Sequence, residues 1–202
     1  MRDAQIHHDR VSSDDDDATL ARLNDRSRSR KLDRHIALVG FMGAGKSTLG
    51  AMLATELDRP FFDSDVRVQE KLGSTVQELF AEGRATEFRQ AEETSVEELL
   101  EGPRAVISLG GGALESARTR SALLRRCFVI HLYVSWAEVR VSLNELSGDR
   151  PLLQRPLSEV HELYLRRQKT YRDAHVRIHV PRNDFDSAVR HILYALRRDD
   201  RA

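Results

Sequence analysis

The chain has 202 residues, 40% of them apolar and 32% charged, which suits one α/β domain with a polar appendage and enough apolar side chains for a buried core. Its 32 basic and 32 acidic residues cancel, so nothing global points to nucleic acid or an anionic membrane surface; any anion binding must come from local arginine placement. The single cysteine, Cys127, excludes an internal disulfide and suits a reducing, cytoplasmic setting, and no apolar run reaches the ~18 residues of a membrane span.

Residues 1–33 carry an acid run (Asp14–Asp17), a Ser27-Arg28-Ser29-Arg30 alternation and almost no large apolar side chains. Such a stretch cannot bury enough surface to offset its ordering entropy, and it is expected to be a disordered extension ahead of a domain spanning 34–202. It lacks the apolar stretch of a signal peptide, and its acids argue against a transit peptide. Ile36–Phe41 reads as a buried strand, followed by a glycine-rich turn and a helix from Lys46 to about Leu57. Pro60–Asp63 reads as a short second strand. Two or three helices run on to Leu100, broken at Gly73 and Gly83. Ala105–Leu109 is a third strand, ended by Gly110–Gly112. Helix 116–126, strand 127–134 with Cys127 as a buried residue, and helix 136–146 follow. Residues 147–156, with Gly148, Pro151 and Pro156, read as a mobile loop. Helix 157–173, strand Val176–Val180 and helix 184–198 close the chain. Apolar strands alternating with helices predict a largely parallel five-stranded sheet covered on both faces, with ligands at the strands' carboxyl ends. The strand order does not follow from the pattern.

Gly40-Phe41-Met42-Gly43-Ala44-Gly45-Lys46-Ser47 fills G-x-x-x-x-G-K-[ST] directly after a strand and at the start of a helix, the context this phosphate loop requires. Chance supplies the four fixed positions in roughly one chain per hundred of this length, before that context is counted. The loop's backbone amides and the helix dipole suit phosphate oxygens; Lys46 reaches the β- and γ-phosphates and the Ser47 hydroxyl ligates Mg²⁺. The loop alone leaves the acceptor open.

Asp63-Ser64-Asp65 ends the second strand. If the chain stays extended, both carboxylates point the same way, one toward Mg²⁺ through water and one toward an attacking hydroxyl. The competing reading makes Asp63 or Ser64 a helix N-cap. Arg89 and Glu92 are i, i+3 neighbours, so a surface ion pair competes with a binding role for Glu87-Phe88-Arg89. Gly110-Gly111-Gly112 permits close ligand approach, or is a plain flexible turn. Arg150-Pro151-Leu152-Leu153 places an arginine on the mobile loop, where it can close over a transferring phosphoryl group. Arg89 and Arg167 together can grip a carboxylate through their planar guanidinium groups.

This ordered set, from about Ile36 to Leu196, resembles the shikimate kinase family. The resemblance implies a phosphate-loop kinase, a three-layer α/β sandwich with a mobile lid at about 143–156. It implies transfer of the ATP γ-phosphoryl group to the 3-hydroxyl of shikimate in aromatic amino acid biosynthesis, by a cytoplasmic monomer. Gly43, Ala44, Gly45, Lys46, Ser47 and Thr48 then bind nucleotide with Arg150 and Arg182. Asp65, Arg89, Gly110, Gly111, Gly112 and Arg167 bind substrate; Lys46, Asp65 and Arg150 act in catalysis; Ser47 and, through water, Asp63 serve the metal. Phe80 and Phe88 match apolar pocket residues, and Glu92 matches an acid that orients the substrate arginine. One departure stands out: Leu143 occupies the place where members carry an arginine that packs on adenine, and Arg140 or Arg182 is the available substitute. The rival readings are another small-metabolite kinase, such as a gluconate kinase, and a non-catalytic sensor on a kinase-like fold. The first has no need of all three acceptor motifs together. The second would have lost Asp65 or Arg89.

Overall fold

Five consecutive side chains, His35–Val39, are buried without exception, and a strand hidden on both faces belongs at the centre of a parallel sheet. A computed structural model, which describes residues 31–145, 155–182 and 184–198, places it there. The elements run β1 (His35–Val39), α1 (Lys46–Glu56), β2 (Phe61–Asp63), α2 (Ser64–Leu72), α3 (Val76–Ala81), α4 (Ala85–Glu101) and β3 (Val106–Ser108). A 3₁₀ turn (Ala113–Glu115) leads to α5 (Ala117–Arg126), β4 (Cys127–Tyr133), α6 (Trp136–Glu145), α7 (Leu157–Tyr171), β5 (Val176–His179) and α8 (Phe185–Arg197). The sheet order is β2-β3-β1-β4-β5 and every pairing is parallel.

Alternate strand residues feed two cores. Ile36, Leu38, Val106, Ile130 and Leu132 pack toward α1, α7 and α8, while Ala37, Val39, Ile107 and Val129 pack toward α4 and α5. β3 and most of β4 are as buried as β1, whereas β5 alternates half-buried and exposed residues and β2 is only half-buried. Those last two are the sheet's edges, which explains why they are short and more polar. A third, smaller apolar cluster around Val68, Leu79 and Phe88 joins α2, α3 and α4.

Local chemistry sets the ends. Gly73 and Gly83 both adopt left-handed φ (64° and 73°) and stop α2 and α3, so the expected breaks produce three helices. Thr75 and Glu78 form a reciprocal capping box at the start of α3. The expected strand to Phe41 ends two residues early at Val39 because the phosphate loop already begins at Gly40. Cys127 is fully buried as the first residue of β4. Lys31–Asp33 lie against the domain: Leu32 packs on the core, and the Lys31 ammonium donates to the Ala195 and Arg198 carbonyls at the end of α8. The expected extension up to residue 30 and most of the expected mobile loop lie outside the described residues.

Register decides where the site is. Leu38 pairs with Ser108 on one side and Ile130 on the other, and Asp63 pairs with Ser108. The strands therefore end level, and the loops after β1, β2 and β3 open side by side. The chain passes from β1 outward to β2 but from β3 across to β4, so the switch in winding falls at β1, directly under the phosphate loop.

Candidate active site at the carboxyl ends of the strands

The phosphate loop is a tight bend between β1 and α1. Gly43 and Gly45 sit at φ 77° and 73°, a left-handed backbone that turns successive amides inward. Gly45 is also the N-cap of α1 and offers no side-chain oxygen to the first helical amides, and the first turn carries no acid, which leaves this end suited to an anion. Neighbours hold the loop closely. A β-carbon on Gly40 would stand 2.5 Å from the Leu132 carbonyl, one on Gly45 2.6 Å from the Phe185 ring, and one on Gly43 3.0 Å from Ser142 Cβ. The Lys46 ammonium folds back over the loop, 3.0 Å from the Gly40 carbonyl and 3.3 Å from that of Phe41.

The strand does not stay extended through both carboxylates. It ends at Asp63, the N-cap of α2, whose Oδ1 accepts from the Asp65 amide at 3.0 Å. Asp63 also uses Oδ2, which accepts from the Ser47 hydroxyl at 2.7 Å. One side chain thus caps α2 and also meets the Ser47 hydroxyl at the phosphate loop. Asp65 lies in the first turn of α2 and faces Gly110 instead.

Around the three glycines, four charged side chains converge. At Gly110 a β-carbon would stand 2.5 Å from Asp65 Oδ1 and 2.7 Å from Glu92 Oε1. At Gly112 it would meet Arg89 Nη2 and Nη1 at 2.7 and 2.8 Å and Arg167 Nη2 at 3.1 Å; at Gly111, Arg167 Nη1 at 2.8 Å. Gly112 has φ −102°, an ordinary backbone, so the demand for glycine here is space. The Gly110 amide donates to the buried Ser64 hydroxyl (2.9 Å), and the Tyr171 hydroxyl donates to the Gly111 carbonyl (2.7 Å), tying the segment to α2 and α7.

The Arg89–Glu92 pair is no surface ornament: the Glu92 side chain is 4% exposed and its Oε1 is buried with no protein partner. Burial pushes the Glu92 carboxyl above its usual range, against the opposing pull of Arg89. Asp65 is likewise raised, first by burial and then by the Asp63 charge, with Lys46, Arg89 and Arg167 pulling the other way. Two buried carboxyls and two arginines thus meet at the three glycines beside the phosphate loop, an arrangement whose charges and acceptors suit an anion that carries hydroxyls. Phe80 and Phe88 pack on each other at 5.3 Å within the smaller apolar cluster, and Arg89 lies over the Phe88 ring at 5.2 Å, so the core under α4 supports the arginine.

A protein-family model described as "Shikimate kinase" matches residues 42–197. The chain belongs to the shikimate kinase family. Among its relatives, the shikimate kinase of Bacillus pumilus is 34% identical over 166 residues, covering 81% of this chain and 90% of that protein. That of Rhodococcus jostii is 43% identical over 144 residues, covering 70% and 84%. Among solved structures, shikimate kinase from Acinetobacter baumannii in complex with shikimate superposes with a TM-score of 0.76 at 33% identity, over 84% of this chain and 96% of that one. A gluconokinase from Sinorhizobium meliloti matches at TM-score 0.51 and 16% identity, a likeness of fold alone. Family membership makes the chain an ATP-dependent kinase. The expected α/β class, with its five-stranded parallel sheet, is the observed one.

The structure brings Lys46, Ser47, Asp63, Asp65, Arg89, Gly110–Gly112 and Arg167 to one edge of the sheet. Ala44 is buried within the loop, while Thr48 is exposed one residue beyond Ser47. Arg182 is exposed in the turn after β5, three residues before Phe185. Arg140 is exposed on α6, and Leu143 is half-buried against the core. Arg150 lies outside the described residues. Sequence reasoning missed two contributors. Ser64, on sequence a candidate cap, accepts from the Gly110 amide across 46 residues. Glu115, which pairs with Arg167 across 52 residues, carried no local signal at all.

Proposed function

We propose that the chain transfers the γ-phosphoryl group of Mg-ATP to the 3-hydroxyl of shikimate, as a cytoplasmic monomer. The observation that carries the reading is the convergence of Asp65, Glu92, Arg89 and Arg167 on three glycines beside the phosphate loop. Arg89 and Arg167 present Nη groups to one small volume at Gly112, which suits a carboxylate, and Asp65 presents an acceptor to a ring hydroxyl. The solved relative bound to shikimate and the family match support the same acceptor. For cell placement the support is a lone buried thiol; among the described residues no helix is long and apolar enough to cross a membrane.

Ser47 Oγ and Asp63 Oδ2, 2.7 Å apart at the loop, are hard oxygen donors, a pair that fits Mg²⁺ beside phosphate oxygens. When bound, that ion supplies charge neutralisation on the phosphates. The chain's own residues do the rest. The loop amides and Lys46 hold the phosphates, Asp65 orients the attacking hydroxyl and accepts its proton, and the two arginines fix the acid's carboxylate. Arg150 is assigned to the transferring group on its family motif, and Arg182 or Arg140 to the base, since Leu143 stands where family members carry the arginine that packs on adenine.

A coupled ADP-release assay with Mg-ATP tests the reading, comparing shikimate, gluconate and no acceptor. The expected result is ADP release that depends on shikimate, with background rates in the other two arms. Shikimate-independent rates from folded, ATP-binding protein would refute it.

A further inference from the structure

Arg167 is the less exposed of the two substrate arginines, with an 11% exposed side chain. Its guanidinium has two usable edges, and the structure divides them. Nε donates to Glu115 Oε1 at 3.1 Å, while Nη1 and Nη2 turn toward Gly111 and Gly112, where Nη2 comes up beside the Arg89 fork. Glu115 is not a wandering surface acid. It closes the 3₁₀ turn that follows the glycines, its amide donating to the Gly112 carbonyl at 2.9 Å and that of Ala113 to the Gly110 carbonyl at 3.0 Å. Its carboxylate is therefore fixed to the same short segment that frames the pocket floor.

We infer that Glu115 is a positioning residue for Arg167: it holds the Nε edge and thereby aims the Nη edge at the substrate carboxylate. The inference rests on the proposed carboxylate site. Two guanidinium groups meeting at Gly112 repel one another, and each arrives with its own carboxylate, Arg89 with Glu92 and Arg167 with Glu115. The counter-charges let both forks stay at Gly112 before an anion arrives, so less ordering is left for the binding step. Glu115 touches no reacting atom, so its effect belongs in acceptor binding and not in the chemical step.

Steady-state kinetics of Glu115→Ala, Glu115→Gln, Arg167→Ala and the double variant Glu115→Ala/Arg167→Ala separate the possibilities. For Glu115→Ala, KM for shikimate rises about ten-fold, with kcat and KM for ATP within about two-fold of wild type. Glu115→Gln recovers to within about three-fold, because the amide oxygen accepts the same hydrogen bond. Removing Glu115 in the Arg167→Ala background adds nothing, since there is no guanidinium left to aim. A wild-type or lowered shikimate KM in Glu115→Ala overturns the inference, as does a loss spread equally over kcat and both KM values. A shikimate KM unmoved by Arg167→Ala itself would instead strike the carboxylate-site reading.

Discussion

Asp65, the acid proposed to orient the acceptor hydroxyl, carries the instability that a buried carboxyl brings. Burial and the neighbouring Asp63 charge raise its carboxyl above the usual 3.8. The native state then keeps a proton that the unfolded chain has released, so this group's contribution to stability falls as pH climbs from 3.8 through the raised value and stays low above it. Asp65→Asn removes that charge while keeping the shape. It is expected to lower kcat by about a hundred-fold or more and to raise the melting temperature by roughly 2–4 °C, the equivalent of about 1 kcal/mol in a domain of this size. Near-wild-type turnover in that variant would show that Asp65 does not serve the acceptor. Arg89→Ala tests the other pole of the pocket: shikimate KM should rise by about 10–100-fold, since a charge-assisted fork is lost and Glu92 is left buried alone.

Between the strands and the helices, glycine does two different jobs, and substitution separates them. Gly112 has an ordinary backbone, and what fills the space of its missing β-carbon is the far ends of Arg89 and Arg167. Gly112→Ala should therefore displace the two forks, raising shikimate KM by about ten-fold or more while the melting temperature moves by only about 2 °C. At Gly40 the obstacle is the Leu132 carbonyl, part of the β4 backbone, 2.5 Å from the added carbon. Gly40→Ala must shift the phosphate loop against the sheet, and a loss of about 2 kcal/mol or more in chemical denaturation is expected, whatever ligand is present. Equal effects of the two substitutions on stability would contradict this division. The three-glycine segment is thus positioned by its neighbours: Ser64 from α2, Tyr171 from α7 and the 3₁₀ turn ending in Glu115 hold a stretch that has no side chains of its own to anchor it.

Across the whole molecule, burial sets how the fold answers to pH and to thiol reagents. Desolvation lowers His131 to about 4 and also lowers His35, so both stay neutral in the native state where the unfolded chain would protonate them. The unfolded state then binds more protons, and stability falls as pH drops from 6.5 toward 4. His131 Nε2 is buried without a partner. His131→Phe should flatten that acid limb in urea titrations at successive pH values, and an unchanged slope would mean the ring titrates normally. Burial pushes the Cys127 thiol up to about 12. A disulfide-exchange reagent at about pH 8 should find no reactive thiol in the native protein and one after denaturation.

Much of this could be read one segment at a time. The alternation of apolar strands and helices, the turn glycines and the phosphate loop act over a few residues, so pattern and backbone preference reveal them without the rest of the chain. Gly73 and Gly83 stop helices wherever they stand, and Gly40–Ser47 announces its own context. The acceptor motifs were legible as members of an ordered set. The tertiary structure decided what depends on separation. It placed β3 between β1 and β2, bent the chain at Asp63 so that one acid caps a helix and meets Ser47 while Asp65 turns to Gly110, and buried Glu92 beneath a half-exposed Arg89. It also brought Glu115 to Arg167 and Ser64 to Gly110. Such contacts are set by how strands stack and helices pack over them, and no local preference in the intervening residues encodes which distant side chain will arrive.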